Sequence, residues 1–216
     1  MEKTAIILGA TGLTGSYLLK ALLADENYKK IKVFGRRSTE VQHPKLEEFI
    51  GDILHLENFE KDFTGDEVFC CIGTTKAKTP NKELYEAIDL GIPKQAAILA
   101  KKNNIPTFIV ISALGANADS RIFYSQLKGK MEKAVINQSI PNTYIFQPSL
   151  IVGDRKEKRL AENMGNIVMS AIHYLLPKKY RKIHAKDLAR AMQIIAQIGS
   201  DKIFISSEKI QNIAHS

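Results

Sequence analysis

The stretch GATGLTG at residues 9–15 decides the fold that this sequence predicts. It follows an apolar run at residues 4–8 that has the composition of a buried strand, and apolar side chains recur at helical spacing through residues 13–24. A glycine-rich turn therefore connects a strand to a helix. Glycine at positions 9, 12 and 15 permits a tight turn, a close approach of the backbone to a ligand, and close packing of the helix against the sheet.

The same turn favours an anionic ligand, because a helix N-terminus offers unpaired N–H groups and a partial positive charge. The usual dinucleotide fingerprint is G-x-G-x-x-G, whereas the spacing here is G-x-x-G-x-x-G. A glycine-rich turn without a ligand is the alternative, and a P-loop would need a closing Gly-Lys-Ser/Thr that the turn lacks. The predicted contacts with a dinucleotide pyrophosphate are Gly9, Thr11, Gly12, Leu13, Thr14 and Gly15.

Strand-like and helix-like segments alternate along the rest of the chain. This rhythm predicts an α/β fold with a doubly wound parallel sheet, in which ligands bind beyond the carboxyl ends of the strands. The helical pattern at residues 82–102 is interrupted near Gly91 and Pro93, where a bend is expected. Predicted strands cover residues 4–8, 31–34, 46–50, 67–72, 107–111, 143–146 and 202–205, and predicted helices cover residues 13–24, 82–102, 122–138, 163–175 and 186–198.

The length and composition predict one domain over residues 1–216. Within it we expect a cofactor-binding core at 1–153 and a short irregular, substrate-side C-terminal part at 154–216. No run approaches the roughly 20 apolar residues of a membrane span, and the N-terminus lacks a secretory pattern, so a cytoplasmic location is expected. The net charge of +8 is spread along the chain, which favours a solvated surface over nucleic-acid binding. Adjacent Cys70 and Cys71 suit buried small side chains better than a redox pair, and no metal site is predicted.

The segment after the second predicted strand indicates which nicotinamide cofactor fits. An NAD site usually has an acidic residue here for the ribose hydroxyls, whereas this sequence has Arg36 and Arg37. A guanidinium suits the 2′-phosphate of NADP, so NADP(H) is favoured over NAD. If both arginines were simply solvated, the sequence would not distinguish NADP from NAD. After the third strand, Asp52 and Ile53 are placed to meet the adenine, with an exposed turn aspartate as the alternative.

Five motifs together resemble an atypical short-chain dehydrogenase/reductase, and most closely the small NADP-binding proteins of the Tat-interacting oxidoreductase-like family. They are GATGLTG at 9–15, GRR at 35–37, FCCIGTT at 69–75, ISALGA at 111–116 and YSQLK at 124–128. The resemblance covers nearly the whole chain and is strongest up to Gly153. It implies a single-domain Rossmann fold with a nicotinamide cofactor.

The resemblance also implies a catalytic set of Ser112, Tyr124 and Lys128. Tyr-x-x-x-Lys places both side chains on one helix face. A neighbouring ammonium lowers the pKa of a tyrosine, which is near 10 when free, toward the working range of a proton shuttle. Lys128 would also hold the nicotinamide ribose, and the Ser112 hydroxyl would hydrogen-bond the substrate oxygen. Chance Tyr-x-x-x-Lys on a surface helix is the alternative.

Further cofactor contacts follow two other predicted strands. The resemblance places Gly73, Thr74 and Thr75 near the ribose and pyrophosphate, and the segment with Pro148 and Leu150 against the nicotinamide amide. With Tyr124 and Lys128 these complete the predicted cofactor site. A plain proline turn is the alternative for the second segment.

Asp89 departs from the family pattern, because many short-chain dehydrogenases have an asparagine at the position that it matches. A carboxylate there pairs with Lys128 and weakens the effect of that lysine on Tyr124, or caps the interrupted helix. Two functions are therefore expected. The first is an NADP(H)-dependent oxidoreductase for a small-molecule carbonyl/alcohol pair, with the substrate undetermined. The second is a non-catalytic NADP(H)-sensing module that binds a protein partner.

Overall fold

A computed structural model describes residues 2–153, Pro177 and residues 180–215. Seven strands form one sheet in the order β3-β2-β1-β4-β5-β6-β9, and every neighbouring pair is parallel. A separate short pairing joins β7 to β8. The strands are β1 (Lys3–Leu8), β2 (Tyr28–Gly35), β3 (Leu46–Ile50), β4 (Glu67–Cys70), β5 (Thr107–Ile111), β6 (Asn142–Gln147), β7 (Ile151–Val152), β8 (Ile183–His184) and β9 (Phe204–Ser206).

Helices cover both faces of the sheet, which confirms the predicted doubly wound α/β class. One apolar core contains buried residues of α1 and of the helices after β8 and β9, and the other contains buried residues of the helices after β3, β4 and β5. Each central strand is therefore buried on both sides, as its apolar sequence predicts. The helices are α1 (Leu13–Leu23), a 3₁₀ segment (Ile53–Phe59), α2 (Lys82–Glu86), a π-helical turn (Ala87–Gly91), α3 (Ile92–Lys102), α4 (Phe123–Ile136), α5 (Ala185–Ile198) and α6 (Ser207–Ala214).

Most predicted segments agree with the structure to within a few residues. The strand predicted at 31–34 begins earlier, at Tyr28, because Tyr28 is itself fully buried. The sequence did not predict the 3₁₀ segment or α6, which are capped by the Asp52 and Ser206 side chains. The described residues after Pro148 form β7, β8, α5, β9 and α6. This part of the chain is therefore more regular than its sequence suggests. The helix predicted at 163–175 lies outside the described residues.

The interruption predicted near Gly91 and Pro93 is a π-helical turn. In an α-helix the N–H of residue 93 would bond to the carbonyl of Asp89, but proline has no N–H. The helix widens there, and the Ile92 N–H bonds to the carbonyl of Ala87, five residues earlier. Asp89 lies inside this turn and is only 1% exposed. The proline is thus the physical reason for the wide turn that holds Asp89.

Candidate active site

A groove runs over the carboxyl ends of β1, β2 and β4, where a doubly wound sheet binds its ligands. Three adjoining cavities of about 490, 370 and 330 Å³ share lining residues along it. Most of the predicted contacts line these cavities, and those that do so are Gly9, Thr11, Gly12, Leu13, Arg36, Arg37, Ile53, Gly73 and Thr74. The groove is therefore long enough to accept an extended ligand along its three parts.

The turn at the start of the groove requires glycine at two positions. Gly9 has a φ of 85°, a left-handed conformation that side chains other than glycine rarely adopt. A Cβ on Gly15 would lie 2.1 Å from the carbonyl oxygen of Gly9, so α1 packs directly against the turn. Gly12, the N-cap of α1, exposes bare backbone to the groove. This arrangement leaves room for a pyrophosphate at the start of α1.

The two arginines after β2 lie on the groove, in different parts of it. Arg36 lines the 370 and 330 Å³ cavities, and Arg37 lines the 490 and 370 Å³ cavities. Both side chains are exposed, and Ile53 forms an apolar wall between the two smaller cavities. Asp52 is also exposed, and its side chain accepts a hydrogen bond from the Leu54 N–H. Asp52 thus caps the 3₁₀ segment, as in the alternative of a turn aspartate.

Glu48 on β3 fixes the loop that follows the arginines. Its carboxylate accepts hydrogen bonds from the Ser38 hydroxyl and from the backbone N–H and hydroxyl of Thr39, at 2.6–2.7 Å. Burial alone would raise the pKa of Glu48, but these hydrogen bonds outweigh it and lower the pKa. The sequence did not indicate this role. A fixed Ser38–Thr39 loop limits the positions that the backbone of Arg37 can adopt.

Lys128 and Asp89 form a buried ion pair at the inner end of the groove. The Lys128 Nζ lies 3.0 Å from Asp89 Oδ1, and the two side chains are 4% and 1% exposed. The other Asp89 oxygen accepts a hydrogen bond of 2.8 Å from the Thr74 N–H. Gly73, which lines the 330 Å³ cavity, lies against both groups, since a Cβ there would be 3.7 Å from Asp89 Oδ1 and 4.0 Å from Lys128 Nζ. The pairing of Asp89 with Lys128, expected from the sequence, is present.

Tyr124 lies one helical turn before Lys128 and is 42% exposed. Partial burial and, to a smaller extent, the negative charge of Asp89 raise the pKa of Tyr124 to about 12. The phenol is therefore protonated at neutral pH. The lowered pKa expected from Lys128 is absent, because burial and the charge of Asp89 both act to raise it.

Ser112, directly after β5, belongs to a buried network that the sequence did not reveal. Its hydroxyl donates to Glu132 Oε1 at 2.5 Å, and the Gln147 amide donates to the same oxygen at 2.9 Å. Ser112 and Glu132 are only 3% and 6% exposed. Burial raises the pKa of Glu132, although its two hydrogen-bond donors and Lys128 act in the opposite direction. The one available signal was spacing, since Glu132 lies four residues after Lys128 on the same helix face.

Several predicted residues lie beside the groove without lining the three cavities. Thr14 is buried under the turn, Thr75 is exposed on the loop after β4, and Pro148 is buried while Leu150 is 63% exposed. Residues that the sequence did not suggest also line the 330 Å³ cavity: Ile72, Lys78, Thr79, Leu84, Ile88 and Ile92. They come from the loop and helices after β4, whose sequence shows no ligand-binding motif.

Cys70 is buried and Cys71 half-buried, and burial raises the pKa of both thiols, which fits their expected role as small apolar side chains. Within residues 2–153 and 180–215, no three His, Cys, Asp or Glu side chains are grouped as metal ligands. Over the same part of the chain, no helix has the length and apolar character of a membrane span.

Solved structures share this architecture, and one of them contains NAD⁺. The Bordetella bronchiseptica enzyme WbmH in complex with NAD⁺ superposes with a TM-score of 0.69 and 18% identity, over 92% of this chain and 73% of that one. A UDP-N-acetylglucosamine 4-epimerase from Methanobrevibacter ruminantium gives a TM-score of 0.70 at 19% identity, over 94% and 75% of the two chains. At this identity the likeness establishes the Rossmann fold alone.

Curated relatives are closer in sequence. Protein FMP52-1, mitochondrial, from Scheffersomyces stipitis is 34% identical over 179 residues, which is 79% of this chain and 77% of the relative. Protein HTATIP2 from Rattus norvegicus is 32% identical over 165 residues, or 74% and 68%. The latter confirms the resemblance to the Tat-interacting proteins. The predicted cytoplasmic location is wrong by this comparison, since the FMP52 relatives are named as mitochondrial proteins and the missing secretory pattern does not distinguish these compartments.

A family model described as NAD(P)H-binding matches residues 9–195 of this chain. The match begins at Gly9, the first glycine of the turn, and extends into α5, so it includes every part of the groove described above. A nicotinamide cofactor is therefore supported by both the family and the fold. The chain belongs to the NAD(P)H-binding family and has its oxidoreductase-type Rossmann fold.

Proposed function

We propose that the protein is an NADP(H)-dependent oxidoreductase of the short-chain dehydrogenase type, acting on a carbonyl/alcohol pair. The observation that carries the proposal is the burial of Lys128 beside Gly73, at the inner end of the groove that begins at the GATGLTG turn. The Lys128 ammonium is paired with Asp89, which offsets the cost of burying it, and both groups lie against Gly73, which lines the 330 Å³ cavity. Ser112 and Tyr124 are the side chains proposed to contact the substrate with it.

The proposed roles follow from the chemistry of each group. The bound nicotinamide supplies or accepts the hydride. The Tyr124 phenol, protonated at neutral pH, donates a hydrogen bond to the substrate oxygen and stabilises its developing negative charge. Lys128 holds the ribose hydroxyls of the nicotinamide half. The acid/base role that the resemblance implies for Tyr124 requires its pKa to fall, which needs Lys128 to turn from Asp89 toward the phenol.

NADP(H) is proposed over NAD(H) because two guanidinium groups, Arg36 and Arg37, line the part of the groove beside Ile53. Arg36→Ala is expected to weaken NADPH binding about 10- to 100-fold, the loss of one charge-assisted hydrogen bond, and NADH binding much less. Fluorescence titration of both cofactors measures this difference. Arg190→Ala, an exposed arginine on α5, is the matched control and should leave both affinities unchanged. Equal losses for the two cofactors would remove the NADP assignment.

Turnover tests the enzyme itself. Nicotinamide absorbance is followed with a panel of aldehydes, ketones, quinones and the matching alcohols. Tyr124→Phe should lower kcat about 100-fold or more, the usual effect of one lost donor to a developing oxyanion, with the cofactor dissociation constant unchanged. Turnover that survives in Tyr124→Phe and in Lys128→Met contradicts the proposed site.

The second candidate is a non-catalytic NADP(H) sensor that binds a protein partner. The 3.0 Å pairing of Lys128 with Asp89 favours it, because the charge that would activate Tyr124 is neutralised. Asp89 also holds Thr74, so a change in the ion pair is passed to the loop after β4. Tight NADPH binding without turnover on any panel member, with cofactor-dependent hydrogen exchange in residues 73–79, supports this candidate.

A further inference from the structure

The loop that Glu48 fixes extends beyond the two residues that bond to it directly. The Ser38 hydroxyl, which donates to Glu48 Oε2 at 2.6 Å, accepts a hydrogen bond of 3.0 Å from the Glu40 N–H. The Thr39 hydroxyl, which donates to Glu48 Oε1 at 2.7 Å, accepts a longer one of 3.4 Å from the Val41 N–H. One carboxylate therefore organises the whole loop through two hydroxyl groups.

This loop, residues 38–41, forms a wall of the 490 Å³ cavity, which Arg37 also lines. Glu40 has a φ of 62°, a left-handed conformation that residues other than glycine seldom adopt, so the shape of the loop depends on bonds that maintain it. Val41 packs against the apolar core that contains α1 and thereby anchors the far end of the loop. Arg37 is thus joined to a loop whose shape Glu48 maintains.

The face of the sheet on which Glu48 lies explains why it reaches the loop. In the parallel pairing of β2 and β3, Glu48 is opposite Val33, which belongs to the core that contains α1. Side chains alternate between the two faces along a strand, so Glu47 points the other way and pairs with Lys30 at 3.0 Å. Two glutamates adjacent in sequence therefore have different surroundings, which makes the second a control for the first.

Both hydroxyl groups of the loop are used inside the protein. A serine or threonine hydroxyl has one hydrogen, and Ser38 and Thr39 each direct it to Glu48. Phosphate oxygens accept hydrogen bonds, so neither hydroxyl can donate to a phosphate while it is bonded to the carboxylate. The donor that this wall offers to a 2′-phosphate is then the Arg37 guanidinium, whose N–H groups suit phosphate oxygens.

We propose that Glu48 is a specificity-determining positioning residue, which holds the loop so that the Arg37 guanidinium is placed for the 2′-phosphate of NADP(H). The inference rests on the proposed function, because it concerns the cofactor choice of that site. A side chain whose backbone is already fixed loses less freedom on binding, which increases affinity. The negative charge of Glu48 opposes phosphate binding, but three hydrogen-bond donors surround it and salt screens it. The positioning effect therefore outweighs the repulsion.

The test is a fluorescence titration of each variant with NADPH and with NADH. Glu48→Gln keeps the size of the side chain but places an NH₂ group, itself a donor, against the donors of the loop. NADPH should bind about 10-fold more weakly, whereas the NADH dissociation constant should change less than about twofold. Glu47→Gln is the matched control and should leave both affinities unchanged. In an Arg37→Ala background, Glu48→Gln should weaken NADPH no further, because both changes remove one interaction.

A second variant keeps the test valid if Glu48→Gln does not fold. Ser38→Ala combined with Thr39→Val removes both hydroxyl groups and leaves the carboxylate in place, and it should also weaken NADPH selectively by about 10-fold. Unchanged or tighter NADPH binding in either variant, an equal loss for NADH, or a loss that adds to that of Arg37→Ala overturns the positioning role and leaves the proposed function standing. A wild type that binds NADPH and NADH equally overturns the NADP(H) assignment, and this inference with it.

Discussion

Two lysine–carboxylate pairs, each with a buried carboxylate, lie at opposite ends of the sheet, and they differ in what surrounds them. At the amino ends of the strands, Lys3 Nζ lies 2.5 Å from Glu67 Oε1, and the Tyr28 hydroxyl donates to Glu67 Oε2 at 2.6 Å. The lysine also donates to the carbonyl of Ala196 on α5. The carboxylate of Glu67 on β4 is thus bonded through its two oxygens to groups from two other strands, and the cluster ties β1, β2 and β4 to the helix layer.

At the carboxyl ends, Lys128 and Asp89 are joined at 3.0 Å, but they connect a helix and a loop instead of the strands. Gly73, which lines the groove, lies against this pair. The same interaction therefore has two consequences. At one end it stabilises the fold, and at the other it sets the charge that a bound ligand and the neighbouring Tyr124 experience.

The largest difference between the two ends should appear on removal of Glu67. Glu67→Ala leaves a cavity, an unpaired Tyr28 hydroxyl and a Lys3 without its carboxylate, so the free energy of unfolding should fall by about 4 kcal/mol. Chemical denaturation measures the loss, and the cofactor dissociation constant should stay at its wild-type value. Glu26→Ala, at an exposed position nearby, should change stability by less than about 0.5 kcal/mol. A loss below about 1 kcal/mol for Glu67→Ala would contradict the claim that the cluster at the amino ends of the strands stabilises the fold.

A smaller effect, on the pKa of a side chain, is expected at the carboxyl ends of the strands. Asp89→Asn keeps an acceptor for the Thr74 N–H but removes the negative charge, so the pKa of Tyr124 should fall from about 12 by about one unit, equivalent to about 1.4 kcal/mol. The phenolate absorbance, taken as the difference between the variant and its Tyr124→Phe derivative, reports this value. Asp201→Asn, far from the groove, is the control. An unchanged Tyr124 would show that the ion pair does not tune it.

The smallest expected effect is the contribution of the Tyr28 hydroxyl to the free energy of unfolding. Tyr28→Phe should cost about 1 kcal/mol near neutral pH, the usual net value of one hydrogen bond. Burial, and then the charge of Glu67, raise the pKa of Tyr28 in the folded protein. Its contribution is complete below about pH 10, where the unfolded tyrosine ionises, and declines as the pH rises further. Denaturation between pH 8 and 11 should show a shallower alkaline decline in the variant, and equal slopes would contradict the assignment.

The features that sequence reasoning predicted are those with a local cause. The glycine turn follows from the spacing of Gly9, Gly12 and Gly15, and β5 follows from five consecutive buried residues of high strand propensity. The doubly wound parallel sheet follows from the alternation of strand-like and helix-like segments. The wide turn before Pro93 was located, although its π-helical form was not.

The features that the sequence did not reveal depend on contacts between distant residues. Ser112 and Glu132 are separated by 20 residues, and a glutamate on an amphipathic helix resembles a solvated charge until the packing of α4 is known. Asp52 is the converse case, because its polar side chain after a strand suggested a ligand contact whereas it bonds to the backbone two residues on. In both cases the partner of the polar group decided the role.

The wide turn at Ala87–Gly91 makes the length of this helix, as well as its composition, a determinant of the groove. Each residue of a helix contributes a rotation of about 100°, so deleting a single residue between Glu86 and Ile92 would swing the preceding half around its axis. The half that follows would still pack on the sheet, while Asp89 would point away from Lys128. Insertions and deletions at this one place therefore change which side chain faces Lys128, while the rest of the domain keeps its structure.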